Sequence, residues 1–259
     1  MINFIRSLIR RQQITGKNIL ESVGHCSTCN QEVTFSAKEI PLRRHFLCVK
    51  CGSIPRERAL MQVIEQFYPN WRDLIIHETS PGKRGASLRL AGEGKAYTPS
   101  HFFPGQQLGG IYKDMRCENL EALTFADESI DLHISQDVLE HIFHPAQAFQ
   151  EIARTLKPGG AHIFTVPLVN KMKSSKLRAS ITADGSVNHI KTPMFHGNPI
   201  NAEGSLVVTD WGYDIVNYIF DATGLFTYMI YIDDVSKGIR AEYIEVLVTV
   251  KPATKNAAG

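Results

Sequence analysis

The chain has 259 residues, 43% of them apolar and 21% charged, with a formal net charge of +2. That composition supports a sizeable core and excludes a disordered or low-complexity chain. No run approaches the roughly 18 apolar residues of a membrane span, and Arg6 breaks the apolar start "MINFIRSLIRRQQ" before it can act as a signal peptide. The expectation is an intracellular, cytoplasmic protein. Charge is uneven. Residues 1–60 hold ten Lys/Arg against four Asp/Glu, a balance of +6, which leaves −4 for the remainder. A basic front end suits nucleic acid, anionic lipid or an acidic partner, but +6 over 60 residues is also what a solvated face carries.

In chain order, Ile2, Ile5, Leu8 and Ile9 make an apolar stripe that predicts a helix in segment 1–23, either docked on the protein or lying on a membrane surface. Segment 24–52 follows with "CSTC" and "CVKC", eighteen residues apart. Two C-x-x-C turns let Cys26, Cys29, Cys48 and Cys51 approach one tetrahedral ion, and four thiolates leave no open position, so a structural zinc ribbon is expected. Two disulfides or a redox dithiol is the alternative, disfavoured without a signal peptide. His25 and His45 are read as bystanders and Cys117 as a small buried hydrophobe. "SIPRERALMQVIEQFYP" reads as a helix capped by Ser53 and stopped by Pro69, with Leu60, Ile64 and Phe67 as its buried stripe.

A short strand, Leu74–Ile76, runs into "HETSPG", which has one Gly where a phosphate-cradling loop carries several. A helix near 85–92, a strand "KAYTPS" and a loop "FFPGQQLGG" follow, then a strand at 129–135. Pro145 opens the next helix, with Phe149, Ile152, Ala153 and Leu156 on one face and Lys157 in the last turn, ahead of the strand "AHIFTVPL". Residues 170–204 are a long polar insert. Thr209 is the expected cap of "DWGYDIVNYIFDATG", which Gly224 stops, and "FTYMIYI" and "EYIEVLVTV" close the domain as a hairpin before a frayed tail, 254–259. Alternating strands and helices predict a largely parallel sheet covered on both faces, its ligand at the carboxyl ends of the strands.

The run "LEALTFADESIDLHISQDVLEHIFHPAQAFQEIARTLKPGGAHIFTVP" resembles class I S-adenosylmethionine-dependent methyltransferases of the type-11 kind, through "LTFADESID", "LEH" and "RTLKPGG" in the family's order and spacing. A weaker likeness extends over about 70–250, and "CGSIPRERAL" looks like the N-terminal ribbon of some bacterial members. The resemblance implies a seven-stranded Rossmann-like sheet, last strand antiparallel, in a catalytic domain spanning 53–253. It implies that Glu78, Thr79, Ser80, Pro81 and Gly82 line the methionine end of S-adenosylmethionine; a plain turn is the alternative. The family ends its second strand in an acid that holds the ribose. Here Ser100 or His101 stands there, and Asn119, beside Leu120, replaces the acid expected against adenine. Gln136 completes the cofactor edge.

Methyl transfer from a sulfonium needs alignment and dryness, and a hydroxyl nucleophile needs a base as well. His141 in "LEH" and His189 and His196 in the insert are the candidates; a structural role is the alternative for His141. "KMKSSK", residues 171–176, is either an attraction for an anionic acceptor or a solvated loop. Trp211, Tyr213 and Tyr218 read as helix and core. The expected reaction is O-methylation of a small or saccharide-like acceptor beneath a lid formed by 170–204. The alternatives are an RNA methyltransferase gripping RNA through its ribbon, and a degenerate domain kept for protein interaction.

Overall fold

The front of the chain folds around its cysteines. A computed structural model describes residues 18–198, 200 and 202–253; the expected N-terminal helical stripe and the tail lie outside the described residues. Strands β1 (Leu20–Cys26) and β2 (Gln31–Ala37) form an antiparallel hairpin around the first C-x-x-C turn. After a one-turn helix α1 (Leu42–His45), β3 (Leu47–Cys48) pairs with β2 and opens the second. Phe35 and Phe46 fill the little core behind the cysteines.

Helix α2 (Pro55–Phe67) leaves this ribbon. Its N-cap is Ile54, not the expected Ser53: the Glu57 carboxylate accepts the Ile54 amide at 3.0 Å, while the Ser53 hydroxyl turns to the cysteine cluster and is 3.1 Å from Cys51 Sγ. Leu60 and Ile64 are buried as expected; Phe67 is 41% exposed, because Tyr68 packs on the core in its place.

The main sheet comprises β4 (Ile75–Thr79), β5 (Ala96–His101), β6 (Ile111–Tyr112), β7 (Met115–Cys117), β8 (Ile130–Gln136), β9 (Leu156–Thr165), β16 (Thr227–Ile230) and β17 (Val246–Val250). Their order is β16-β17-β9-β8-β4-β5-β7-β6. The fold is therefore α/β and Rossmann-like, with eight strands and not seven, because a two-residue edge strand, β6, is added. β4, β5, β7, β8 and β9 run parallel, and β17 is antiparallel to both its neighbours. Strand periodicity divides the core in two. Ile76, Leu132, Ile134, Ile163, Val246 and Val248 meet α2 and α3 (Gly85–Glu93) on one face. Phe164, Leu247 and Met229 meet α4 (Pro145–Thr155) and α5 (Ile215–Thr223) on the other.

Two element ends differ from expectation. α4 stops at Thr155, and Lys157 sits in β9 with its Nζ 2.9 Å from Asp131. Thr209 caps nothing. It lies in β15 (Thr209–Asp210), paired with β10 (Lys176–Leu177), because Asp210 is held there by Arg178 at 3.0 Å and Lys191 at 2.7 Å. α5 starts only after Asp214, whose carboxylate takes the Ser175 amide and hydroxyl. Gly224 ends α5 at φ 72, as expected. The polar insert is built from small ribbons: β10 with β15, β11 (Ala179–Ile181) with β12 (Val187–His189), and β13 (Phe195–His196) with β14 (Ser205–Leu206).

Candidate active site and metal centre

The four cysteine sulfurs all lie within 4.8 Å of one another. Cys26 and Cys51 are 3.8 Å apart, Cys29 and Cys48 3.9 Å. A tetrahedron with Zn–S bonds near ~2.3 Å has an edge of ~3.8 Å, so the donor set fits zinc. Burial pushes the Cys29 thiol up, the neighbouring sulfurs adding to it, so four thiolates without a cation would be costly. Thr28 Oγ1 lies 3.1 Å from Cys26 Sγ, and the Cys51 amide donates to Cys48 Sγ at 3.5 Å, the outer hydrogen bonds such a site needs. His25 and His45 turn elsewhere, to Asn30 and Glu39.

The ribbon is stapled to the sheet domain by one buried cation. The Arg58 guanidinium, fully buried, donates to the carbonyls of Phe46 (2.7 Å), Gly238 (2.6 Å) and Ser53, and stands over the Phe35 ring. Gly238 (φ 66) approaches so closely that a Cβ there would stand 2.5 Å from the Phe35 ring. Arg89 of α3 reaches the Ser27 carbonyl from the other side.

At the carboxyl edge, β4 delivers Glu78 and Thr79 to a bend in which Ser80 takes φ 53. This left-handed conformation is the one glycine favours, and Ser80 stands where the resembled family has one of its glycines. Glu78 is fully buried and accepts from Ser87 (2.6 Å), Tyr97 (2.7 Å) and Gln136 (3.0 Å). Burial nevertheless holds its acid form up. Gly82 donates its amide to the same Ser87 hydroxyl at 2.9 Å, tying the loop to α3, while Pro81 and Gly82 remain open outward.

At the end of β5 the Ser100 hydroxyl is engaged by His77 at 2.7 Å, and His101 is buried edge-on against Phe103. Burial, with the nearby Lys83 adding to it, lowers the His101 pKa. Asn119 Oδ1 accepts the Glu121 amide, and Leu120 is core. Arg56, from α2, sets its guanidinium against the same edge, Nη1 3.4 Å from Gln136 Oε1 and Nε 3.2 Å from Asp137 Oδ2.

Sequence reasoning missed the charged floor beside this edge. Asp137, at φ 54, accepts from Arg43 Nη2 (2.7 Å) and Thr165 Oγ1 (3.1 Å) and pairs with Arg56 at 3.2 Å. Although burial raises it, the two guanidiniums hold its carboxyl well below the usual range. Asp137 and Glu140 sit inside the quoted "SQDVLEH" and were overlooked between Gln136 and His141. Glu245, just before β17, takes a hydrogen bond from Tyr213 at 3.1 Å.

Two of the three candidate histidines meet. His141 and His196 stand T-shaped with ring centroids 5.2 Å apart, joined by Glu140. His189 does not join them; it is exposed on β12, its backbone paired with Ala179. Trp211 is buried and donates to the Leu139 carbonyl, positioning the Leu139–His141 turn.

An eight-stranded Rossmann-like sheet with its polar groups gathered at the carboxyl edge defines the class of fold. Within it, residues 98–164 match the family described as "Methyltransferase domain". A ubiquinone biosynthesis O-methyltransferase of Parvibaculum lavamentivorans is 37% identical over 51 residues, 20% of each chain. A protein of Mycolicibacterium smegmatis named a probable S-adenosylmethionine-dependent methyltransferase is 37% identical over 54 residues, 21% of each chain. The matched region thus spans about a fifth of the length of these curated relatives. An S-adenosylmethionine-dependent methyltransferase from Mesorhizobium loti superposes with a TM-score of 0.46 at 18% identity, covering 74% of this chain and 97% of that one. Among the described residues no helix is long and apolar enough to cross a membrane.

Proposed function

We propose that this protein transfers a methyl group from S-adenosylmethionine to an oxygen of a small, hydroxyl-rich acceptor. Residues 53–253 form the catalytic domain, 170–204 cover the acceptor, and a zinc ion held by Cys26, Cys29, Cys48 and Cys51 in ribbon 24–52 is structural. When bound, the cofactor supplies a methyl group on a positively charged sulfur. Glu78 to Gly82, Ser100, His101, Asn119, Leu120 and Gln136 frame it. Glu140, His141 and His196 stand at the acceptor's reacting oxygen.

The observation that carries the acceptor class is a pair of buried carboxylates. Glu140 and Glu245 each keep a buried oxygen with no hydrogen-bond partner. Buried acceptors in this state favour a ligand that brings donors, and hydroxyl groups do so without adding charge. Calorimetric titration with S-adenosylmethionine and S-adenosylhomocysteine tests the cofactor; no heat and no thermal shift at millimolar concentration would end the enzymatic reading. Glu245→Gln should raise the acceptor KM at least tenfold while leaving cofactor affinity unchanged.

A further inference from the structure

Glu140, His141 and His196 offer three ligand atoms within 4.8 Å of one another. Glu140 Oε1 lies 3.3 Å from His196 Nδ1 and 3.6 Å from His141 Nε2. Donors bound to one ion at about 2.0–2.1 Å in a tetrahedral arrangement stand about 3.4 Å apart, so the Glu140 oxygen is already at ligand spacing from both imidazoles. We propose that this cluster is a second metal site, a two-histidine, one-carboxylate centre for a first-row divalent cation such as Zn2+.

Two further observations point to a ligand. The Glu140 side chain is only 2% exposed, yet its Oε2 has no hydrogen-bond partner. The Arg43 guanidinium nearby spends its observed hydrogen bonds on Asp137 and the Tyr243 carbonyl. The imidazole of His141 is also pre-set. Its Nδ1–H donates to the Leu206 carbonyl at 2.7 Å, which fixes the tautomer and leaves the Nε2 lone pair facing Glu140. Imidazole with carboxylate suits zinc and its neighbours better than calcium or magnesium.

The site joins two elements that chain order keeps apart. Glu140 and His141 end the turn after β8, and His196 comes from β13 of the insert. A bound cation would clamp the insert over the carboxyl edge and keep a fourth position open toward the acceptor. The acceptor role rests on the methyltransferase reading; the metal site itself does not. There, an acceptor hydroxyl on the cation would release its proton to water more readily. Its oxygen would form the new C–O bond as the C–S bond breaks, and the sulfonium would leave as a neutral thioether.

The test uses the full chain, dialysed against a mild chelator that leaves the four-cysteine metal in place, then titrated with Co2+. The expected result is one further equivalent per chain, with visible bands lacking thiolate charge transfer. His196→Ala and Glu140→Gln should each weaken that equivalent at least tenfold while His189→Ala leaves it unchanged, all three melting as cooperatively as the wild type. Overturning results are no further equivalent, or one whose affinity neither variant changes; the cluster is then only a hydrogen-bonded pair of histidines on a glutamate. Parallel titration with S-adenosylmethionine separates the two ideas. Cofactor binding without the second metal sinks this site alone, and the second metal without cofactor binding sinks the enzyme reading alone.

Discussion

Arg43, on the ribbon's one-turn helix, donates to Asp137, at the carboxyl end of β8, at 2.7 Å. The ribbon therefore contributes to the floor of the candidate site. Arg43→Ala would leave Asp137 with Arg56 as its one guanidinium and the Thr165 hydroxyl, and is expected to cost about 2 kcal/mol, below the full loss of a buried pair because these partners remain. Urea denaturation measures it. Wild-type stability in the variant would show that the contact carries nothing.

The four cysteines should hold one tightly bound zinc. Replacing Cys26 and Cys29 by Ser should release about one equivalent, measured by elemental analysis, and remove hydrogen-exchange protection from β1 to β3. Protection in β8 and β9 should persist, since their partners are β4 and β17. Retained metal would mean that the ligands are other residues.

Arg58→Met keeps the bulk against Phe35 but strands the carbonyls of Phe46, Ser53 and Gly238. The expected loss is about 2–4 kcal/mol, from buried acceptors left without donors. A loss under about 0.5 kcal/mol, read from urea unfolding, would contradict a stapling role.

Three histidines lie in register across the central strands: His77 beside His133, and His133 beside His162. His77 and His133 share a hydrogen bond at 2.9 Å, and all three are buried. Burial lowers His77 and His162 from 6.5 to about 3, and His133 well below its usual value. Their folded pKa values lie below the unfolded ones, so the unfolded state binds more protons as pH falls. Stability is then full above about pH 6.5 and declines toward pH 3, by at most about 1.4 kcal/mol per pH unit for each histidine. Unfolding free energies between pH 7 and pH 5 should show this slope. His162→Leu, which removes a ring whose Nδ1 has no partner, should flatten it by about a third. An unchanged slope would remove His162 from the account.

Much of this was readable from residue order. The cysteine spacing announced the ribbon, and the strand and helix periodicities located β4, β5, β8, β9, β16 and β17 and the four long helices. The bend after β4 was legible through resemblance, with Ser80 adopting the left-handed backbone at a family glycine. β6 and β7 were not legible: the turn between them uses Lys113 and Asp114 at φ 49 and 59, without the Gly or Asn that marks such turns. The Ser53 cap failed because a nearby sulfur cluster outbid the helix for its hydroxyl.

Local patterns act over a few residues, so sequence alone settled the main strands and long helices of the sheet domain and which cysteines share a site. The meeting of Arg43 with Asp137, of Glu140 with His196, and the row of buried histidines were decided only by the tertiary structure. Each joins residues from separate elements, and only sheet order and the docking of ribbon and insert bring such groups within hydrogen-bond reach.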